Sequence, residues 1–158
     1  MKRFVPLIVL VLTCIAAVQG SSDSVYARRT SVASLNTFWT GTTRTTPPCR
    51  MSSGRCNAIN KITFRFVPKG NRIRGKFTCA YGNLNCRNGG ADDTGKIVSG
   101  RVSGNLIRLS VVVSSDVSNC YYNGEFTSPT TIHGGYSCYQ GGEVIEEGIF
   151  DLTKSSGG

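Results

Sequence analysis

Few side chains in this sequence can do covalent chemistry, and none falls in a catalytic pattern. His133 is the sole histidine. It stands beside Gly134 and Gly135 and has no neighbouring Ser and Asp spaced to build a nucleophile system, so it reads as a surface residue. Glu143, Glu146 and Glu147 cluster near a Gly-flanked turn. Glycosidase chemistry needs carboxyls facing each other across a cleft, so these three read as a solvated acidic loop. The cysteines lack the tight knuckle spacings of a zinc site and the histidines that usually help, and neither metal nor cofactor is expected. The chain reads as a protein that binds and does not turn over a substrate.

The remaining chemistry is that of disulfides. Cys14 lies in an N-terminal segment with the layout of a secretory leader: Lys2 and Arg3, an apolar run from Phe4 to Val18, then small residues at Val18-Gln19-Gly20 before Ser21. Export is expected, with cleavage near Gly20. The run is too short for a spanning helix, and no later stretch reaches that length. Leu12-Thr13-Cys14 resembles a lipoprotein processing site, but Thr13 and the apolar residues after Cys14 favour ordinary cleavage over lipid anchoring through Cys14. Either route leaves an even set, Cys49, Cys56, Cys79, Cys86, Cys120 and Cys138, suited to an oxidising compartment. Six cysteines allow fifteen pairings. The equal gaps from Cys49 to Cys56 and from Cys79 to Cys86 favour three local bridges, each worth about 2–3 kcal/mol in lost unfolded-state entropy.

One of those bridges is set by strand register. A two-residue loop at Gly104-Asn105 places Val102 opposite Ile107, Gly100 opposite Leu109 and Val98 opposite Val111. A hairpin about Pro129 then sets Phe126 against Ile132, Gly124 against Gly134, Tyr122 against Tyr136, and Cys120 against Cys138. Cysteines opposed in this way can bridge without backbone movement.

The same alternation runs through the rest of the chain. Residues 21–34 are polar, carry Arg28-Arg29 and show no period, so they read as a flexible arm. Leu35 to Thr42 is a strand candidate with Trp39 as a core plug, and Thr43 to Asn57 reads as a loop. Ile62, Phe64 and Phe66 form a half-buried face. After a turn at Pro68 to Asn71, Ile73, Gly75, Phe77 and Cys79 return, with Phe66 opposite Ile73 and Arg65 against Arg74. Gly148, Phe150 and Leu152 mark a last strand, and residues 154–158 read as a frayed tail. A loose repeat of Gly, any residue, apolar, small polar recurs at Gly75, Gly100, Gly124, Gly134 and Gly148. Inward glycines let strands bend around a small barrel. The predicted fold is all-β, an antiparallel up-and-down meander of about eight strands closing into one disulfide-stapled barrel over residues 35–153.

This pattern resembles the calycin group, the lipocalins and avidins, with its tryptophan on the first strand, glycine-punctuated meander and aromatic on the last strand. The resemblance is architectural; Thr37 stands where lipocalins carry glycine. It implies capture of a small apolar or aromatic ligand in the barrel or at its mouth. The residues expected inside are Trp39, Phe64, Phe77, Tyr122, Phe126 and Tyr136, which either pack a solid core or line a pocket.

Charge offers a second route to binding. The chain carries 18 Lys and Arg against 9 Asp and Glu, and from Val25 to Ala91 there are twelve basic residues and no acid. Lys61, Arg65, Lys69, Arg72, Arg74 and Lys76 fall on the second hairpin, mostly on its outward face. That face serves either as a solvated surface or as a contact for an anionic extracellular partner: polysaccharide, lipid head group or acidic protein. It lacks the interleaved aromatics of a single-strand nucleic-acid site. A third reading, subunit of an extracellular assembly, rests on the arm at 21–34 adding to a neighbour's sheet.

Overall fold

The computed structural model describes residues 32–47, 59–80, 93–114 and 118–156. Eight antiparallel strands follow one another: β1 (Phe38–Thr45), β2 (Ile59–Lys69), β3 (Arg72–Cys79), β4 (Asp93–Ser103), β5 (Leu106–Val113), β6 (Asn119–Ser128), β7 (Thr131–Gln140) and β8 (Glu143–Lys154). Each pairs with the next, and β1 pairs with β8, so the sheet closes into a barrel. Closure leaves no unpaired edge.

Alternating side chains give every strand an inner and an outer face. The inner face is apolar and aromatic along the barrel axis. Trp39, Phe64 and Phe66 are fully buried, and Phe77, Tyr122, Phe126, Tyr136 and Phe150 nearly so. Their rings touch in sequence: Trp39 meets Phe66 at 6.1 Å, Phe66 stacks on Phe64 at 5.6 Å, and Phe64 meets Tyr122 edge-on at 5.2 Å. Such tilted and edge contacts are the preferred aromatic geometries and add to the area buried. The Trp39 indole Nε1 is buried with no hydrogen-bond partner among the described residues, so packing against these rings holds it there.

Inward glycines accommodate these rings. A Cβ on Gly134 would lie 2.2 Å from the Asn123 carbonyl oxygen and 2.8 Å from a Phe150 ring carbon. The close approach of β6, β7 and β8 therefore requires glycine at this position.

The two ends of the barrel differ. At one end β2–β3, β4–β5 and β6–β7 are joined by two-residue turns at Gly70-Asn71, Gly104-Asn105 and Pro129-Thr130. Gly70 and Gly104 have φ of 60° and 62°, which a tight hairpin turn demands and a side chain resists. A 3-10 turn (Val32–Leu35) covers this end with a fully buried Leu35. Of the proposed arm at 21–34 only residues 32–34 are described, and they belong to this turn. At the other end the connections β1–β2, β3–β4 and β5–β6 are longer and include residues outside the described set.

The hairpin registers agree with expectation at Val102–Ile107, Gly100–Leu109 and all four pairs from Phe126–Ile132 to Cys120–Cys138. Cys120 and Cys138 are bridged, with Cα atoms 4.0 Å apart. Three expectations are corrected. Val98 does not face Val111: a bulge between Ile97 and Ser99 puts Ile97 opposite Val111 and leaves Val98 exposed. An inserted residue lets a strand kink, and the inward place passes to its neighbour. Phe66 faces Gly75 instead of Ile73, because the turn consumes only Gly70-Asn71 and Lys69 still pairs with Arg72. Finally, β1 begins at Phe38 and continues through Thr45, so Thr43 to Thr45 are strand and not loop. Cys79 is disulfide-bonded. Its proposed partner Cys86, and the pair Cys49 and Cys56, lie outside the described residues.

Candidate functional site

Polar groups inside the barrel gather at one end. Thr43 and Thr45 on β1, Asn60 on β2, Ser118 just before β6 and Glu146 on β8 are all buried, and all lie toward the end with the longer connections. Strand parity puts them there. Thr43 and Thr45 continue the inward series of Trp39 and Gly41, Asn60 opens the series Ile62, Phe64 and Phe66, and Glu146 opens the series Gly148, Phe150 and Leu152. Glu146 is therefore no member of a solvated loop. Only 8% of its surface is exposed, whereas Glu143 is exposed and Glu147 half-buried. β8 begins at Glu143, so the acidic cluster is a strand whose side chains point opposite ways.

Two neighbouring strands reach the Glu146 carboxylate on β8. The Tyr136 hydroxyl from β7 donates to Oε1, and the Thr45 hydroxyl from β1 donates to the same oxygen at 2.9 Å. The two hydroxyl oxygens are themselves 3.4 Å apart. What lets them meet is Gly148, which lies between Thr45 and Tyr136 in the cross-strand row. A Cβ there would stand 2.7 Å from the Tyr136 ring. The Tyr136 ring in turn stacks on Tyr122, with centroids 5.4 Å apart and planes 17° apart. Tyr122 meets the Phe150 ring edge-on at 5.4 Å. Cys138 is the cross-strand partner of Glu146, so the Cys120–Cys138 bridge flanks the carboxylate.

The electrostatics follow from this packing. Burial raises the Tyr136 phenol well above its ordinary value, and the Glu146 charge and the hydrogen bond donated to it raise it further, against smaller opposing effects of the Thr45 and Thr43 hydroxyls. Burial likewise raises Tyr122, with Tyr136 and Glu146 adding to the effect. Both phenols are held neutral beside the carboxylate, and Tyr136 donates to it. A carboxylate so placed can accept a hydrogen bond or face a cation.

His133 sits on the outer face, and its Nδ1 lies 2.7 Å from an Asp151 carboxylate oxygen on β8. This acidic partner is not legible from local spacing, because the pair forms across strands. Both side chains are exposed, and no cluster of three or more His, Cys, Asp or Glu that could hold a metal occurs among the described residues. A shallow depression of about 430 Å³ nearby is lined by Arg108, Asn123, Glu125 and His133, among others.

The basic hairpin is placed outward. Lys61, Lys69, Arg72, Arg74 and Lys76 are exposed and Arg65 is half-buried. Arg65 bonds the Asn36 side chain at 3.1 Å and the Phe66 carbonyl at 2.9 Å, and lies over the Phe38 ring. In the corrected register it faces Lys76, while Arg74 faces Val67. Like charges directly opposed in a sheet cost roughly 0.2–1 kcal/mol, so the repulsion expected between Arg65 and Arg74 is transferred to Arg65 and Lys76.

No family model matches this chain, and no curated protein matches it in sequence. Redesigned β-barrels are among the solved structures that share its fold. One is a redesigned β-barrel, b11L5F_LGL, with TM-score 0.59 and 10% identity over 82% of this chain and 98% of that one. Another is the redesigned β-barrel mFAP1 bound to DFHBI, with TM-score 0.58 and 10% identity over 80% of this chain and 99% of that one. At such identity the likeness establishes the eight-stranded antiparallel barrel and nothing finer.

Proposed function

We propose that this chain is an exported binding protein that captures a small molecule at the long-connection end of its barrel. The observation that carries this reading is the buried carboxylate. Removing a carboxylate from water costs several kcal/mol before compensation, and an inner face that needed only filling would carry an apolar residue there. Glu146 instead sits with the Tyr136 and Thr45 hydroxyls, beneath which lies an aromatic column. The ligand class that suits these groups is a compact aromatic molecule bearing an amine, amidine or other hydrogen-bond donor. Its donor meets the carboxylate and its ring lies at the barrel end beside Tyr136. The redesigned barrel of the same topology that holds DFHBI lends the reading fold-level support.

Native mass spectrometry of the protein purified from its source is the first test. An adduct of a few hundred daltons that is lost in Glu146→Gln supports the reading. A clean apo mass, together with no thermal shift across a panel of aromatic amines and amidines, overturns it.

A further inference from the structure

Closure of the barrel sorts its charges onto opposite sides. Strands β2 to β5 carry nine Lys and Arg and one acid, Asp93, whereas β6 to β8 carry five acids and one Lys, Lys154. The register then lines the cations up. Arg72 on β3 pairs with Arg101 on β4, and Arg101 pairs with Arg108 on β5. In a second row, Lys76 on β3 stands between Arg65 on β2 and Lys96 on β4. Neighbouring strands lie about 4.8 Å apart, so three arginines in a row span about 10 Å, and the rows are about 13 Å apart along β3. Arg72, Lys76, Lys96, Arg101 and Arg108 are exposed, and none has a carboxylate partner among the described residues.

We infer that this face binds a linear polyanion, a polysaccharide carrying sulfate or carboxylate groups along its chain, laid across the strands over Arg72, Arg101 and Arg108. Like charges stacked in register repel one another, and a barrel that needed only solubility would intersperse the two signs. An anionic chain crossing the strands meets a guanidinium at each one, and the planar fork of arginine matches sulfate and carboxylate oxygens. The shape of the face selects the partner. These cations extend over four of eight strands, around half of a convex barrel. A planar bilayer touches such a surface along a narrow strip, whereas a flexible polymer follows the curve. The outward residues of β3 and β4 include no aromatic to stack a nucleobase. This inference is independent of the ligand proposed for the barrel end, because it uses the outer faces of β3 to β5, whereas Thr45, Tyr136 and Glu146 lie on the inner faces of β1, β7 and β8.

The test uses the exported chain and dextran sulfate as the probe, with binding measured by titration calorimetry from 50 to 300 mM salt. Arg101→Gln/Arg108→Gln is compared with Arg44→Gln/Lys154→Gln, which removes the same charge from β1 and β8. The expected result is at least a tenfold loss of affinity in the first variant, a slope of log K against log salt shallower by about two, and less than a threefold loss in the second. Equal losses in both variants would reduce the effect to net charge and overturn the inference, as would no loss in either. Binding to duplex DNA or to phosphatidylserine vesicles more tightly than to dextran sulfate at 150 mM salt would overturn the choice of polymer. Circular dichroism melting confirms that both variants are folded.

Discussion

The Tyr122, Tyr136 and Glu146 cluster makes a prediction that needs no knowledge of the ligand. Both phenols have folded-state values raised above the ordinary tyrosine value of 10. A raised value means that the folded state holds the proton more tightly than the unfolded state does. The resulting stability is fully present below about pH 10 and is lost as pH climbs from there toward the folded-state values. Above pH 10 each such phenol takes about 1.4 kcal/mol from the folding free energy for every further pH unit. Two of them together therefore remove nearly 3 kcal/mol by pH 11, out of a total of about 5–15 for a domain of this size. Urea unfolding followed by fluorescence between pH 9 and 11.5 measures the slope, and absorbance at 295 nm reports tyrosinate. The absorbance of these two phenols should rise only as the chain unfolds. Tyr136→Phe should roughly halve the slope while lowering stability at pH 7 by about 1.5–3 kcal/mol, the cost of one hydrogen bond to a charged acceptor. If the slope above pH 10 is unchanged in Tyr136→Phe, or if these phenols ionise while the protein is still folded, the buried donor–acceptor arrangement is wrong.

Other perturbations test the frame that carries the cluster. Gly134→Ala places a methyl against the Asn123 carbonyl and the Phe150 ring and should cost at least 1–3 kcal/mol in urea unfolding; a neutral result would mean the strands are farther apart. Replacing both Cys120 and Cys138 by Ala opens a loop of sequence separation 18 and should cost about 3 kcal/mol, measured against the wild type under non-reducing conditions. Ile97→Ala should cost about 2–5 kcal/mol, whereas Val98→Thr should stay within about 0.5 kcal/mol. The reverse order of those two effects would refute the bulge that puts Ile97 inside.

What was legible in the sequence followed turn length. Where a turn holds two residues and the strands beyond it are regular, as at Gly104-Asn105, period-two alternation carries the register correctly from Val102–Ile107 to Gly100–Leu109. The count then fails at Val98, because a bulge adds one residue to one strand and leaves no mark in the apolar pattern: Ile97 and Val98 are both aliphatic. At Gly70-Asn71 the error lay in the turn itself. Pro68 and Lys69 look like turn residues, yet both remain in the ladder, since proline is tolerated near the end of a strand. Glu146 was lost for a different reason. A carboxylate is expected in water, so three glutamates near glycines read as a loop. The signal that could have recovered it is parity, because Glu146 shares its face with Gly148, Phe150 and Leu152, just as Thr43 and Thr45 share theirs with Trp39. His133 and Asp151 were legible only after closure, since β7 and β8 must pair before the two meet.

The buried cluster and the basic face are coupled less than their shared barrel suggests. The cluster is built from β6, β7, β8 and β1, the last three meeting through Gly148, whereas the cation rows run over the outer faces of β2 to β5. Between them lies the aromatic column, close-packed from Trp39 through Phe64 to Tyr122. A packed interior of this kind resists continuous deformation, so occupation of one side has no soft element through which to reshape the other. Salt screens the outer rows over about 8–10 Å but scarcely reaches a carboxylate with 8% exposure. Ionic strength therefore separates the two proposed activities: polyanion binding should fall steeply between about 50 and 300 mM salt, while binding at Glu146 and the alkaline unfolding slope should hold nearly constant. A common salt dependence would mean that the carboxylate is reached by solvent ions, and the partition of the barrel into an inner and an outer site would then fail.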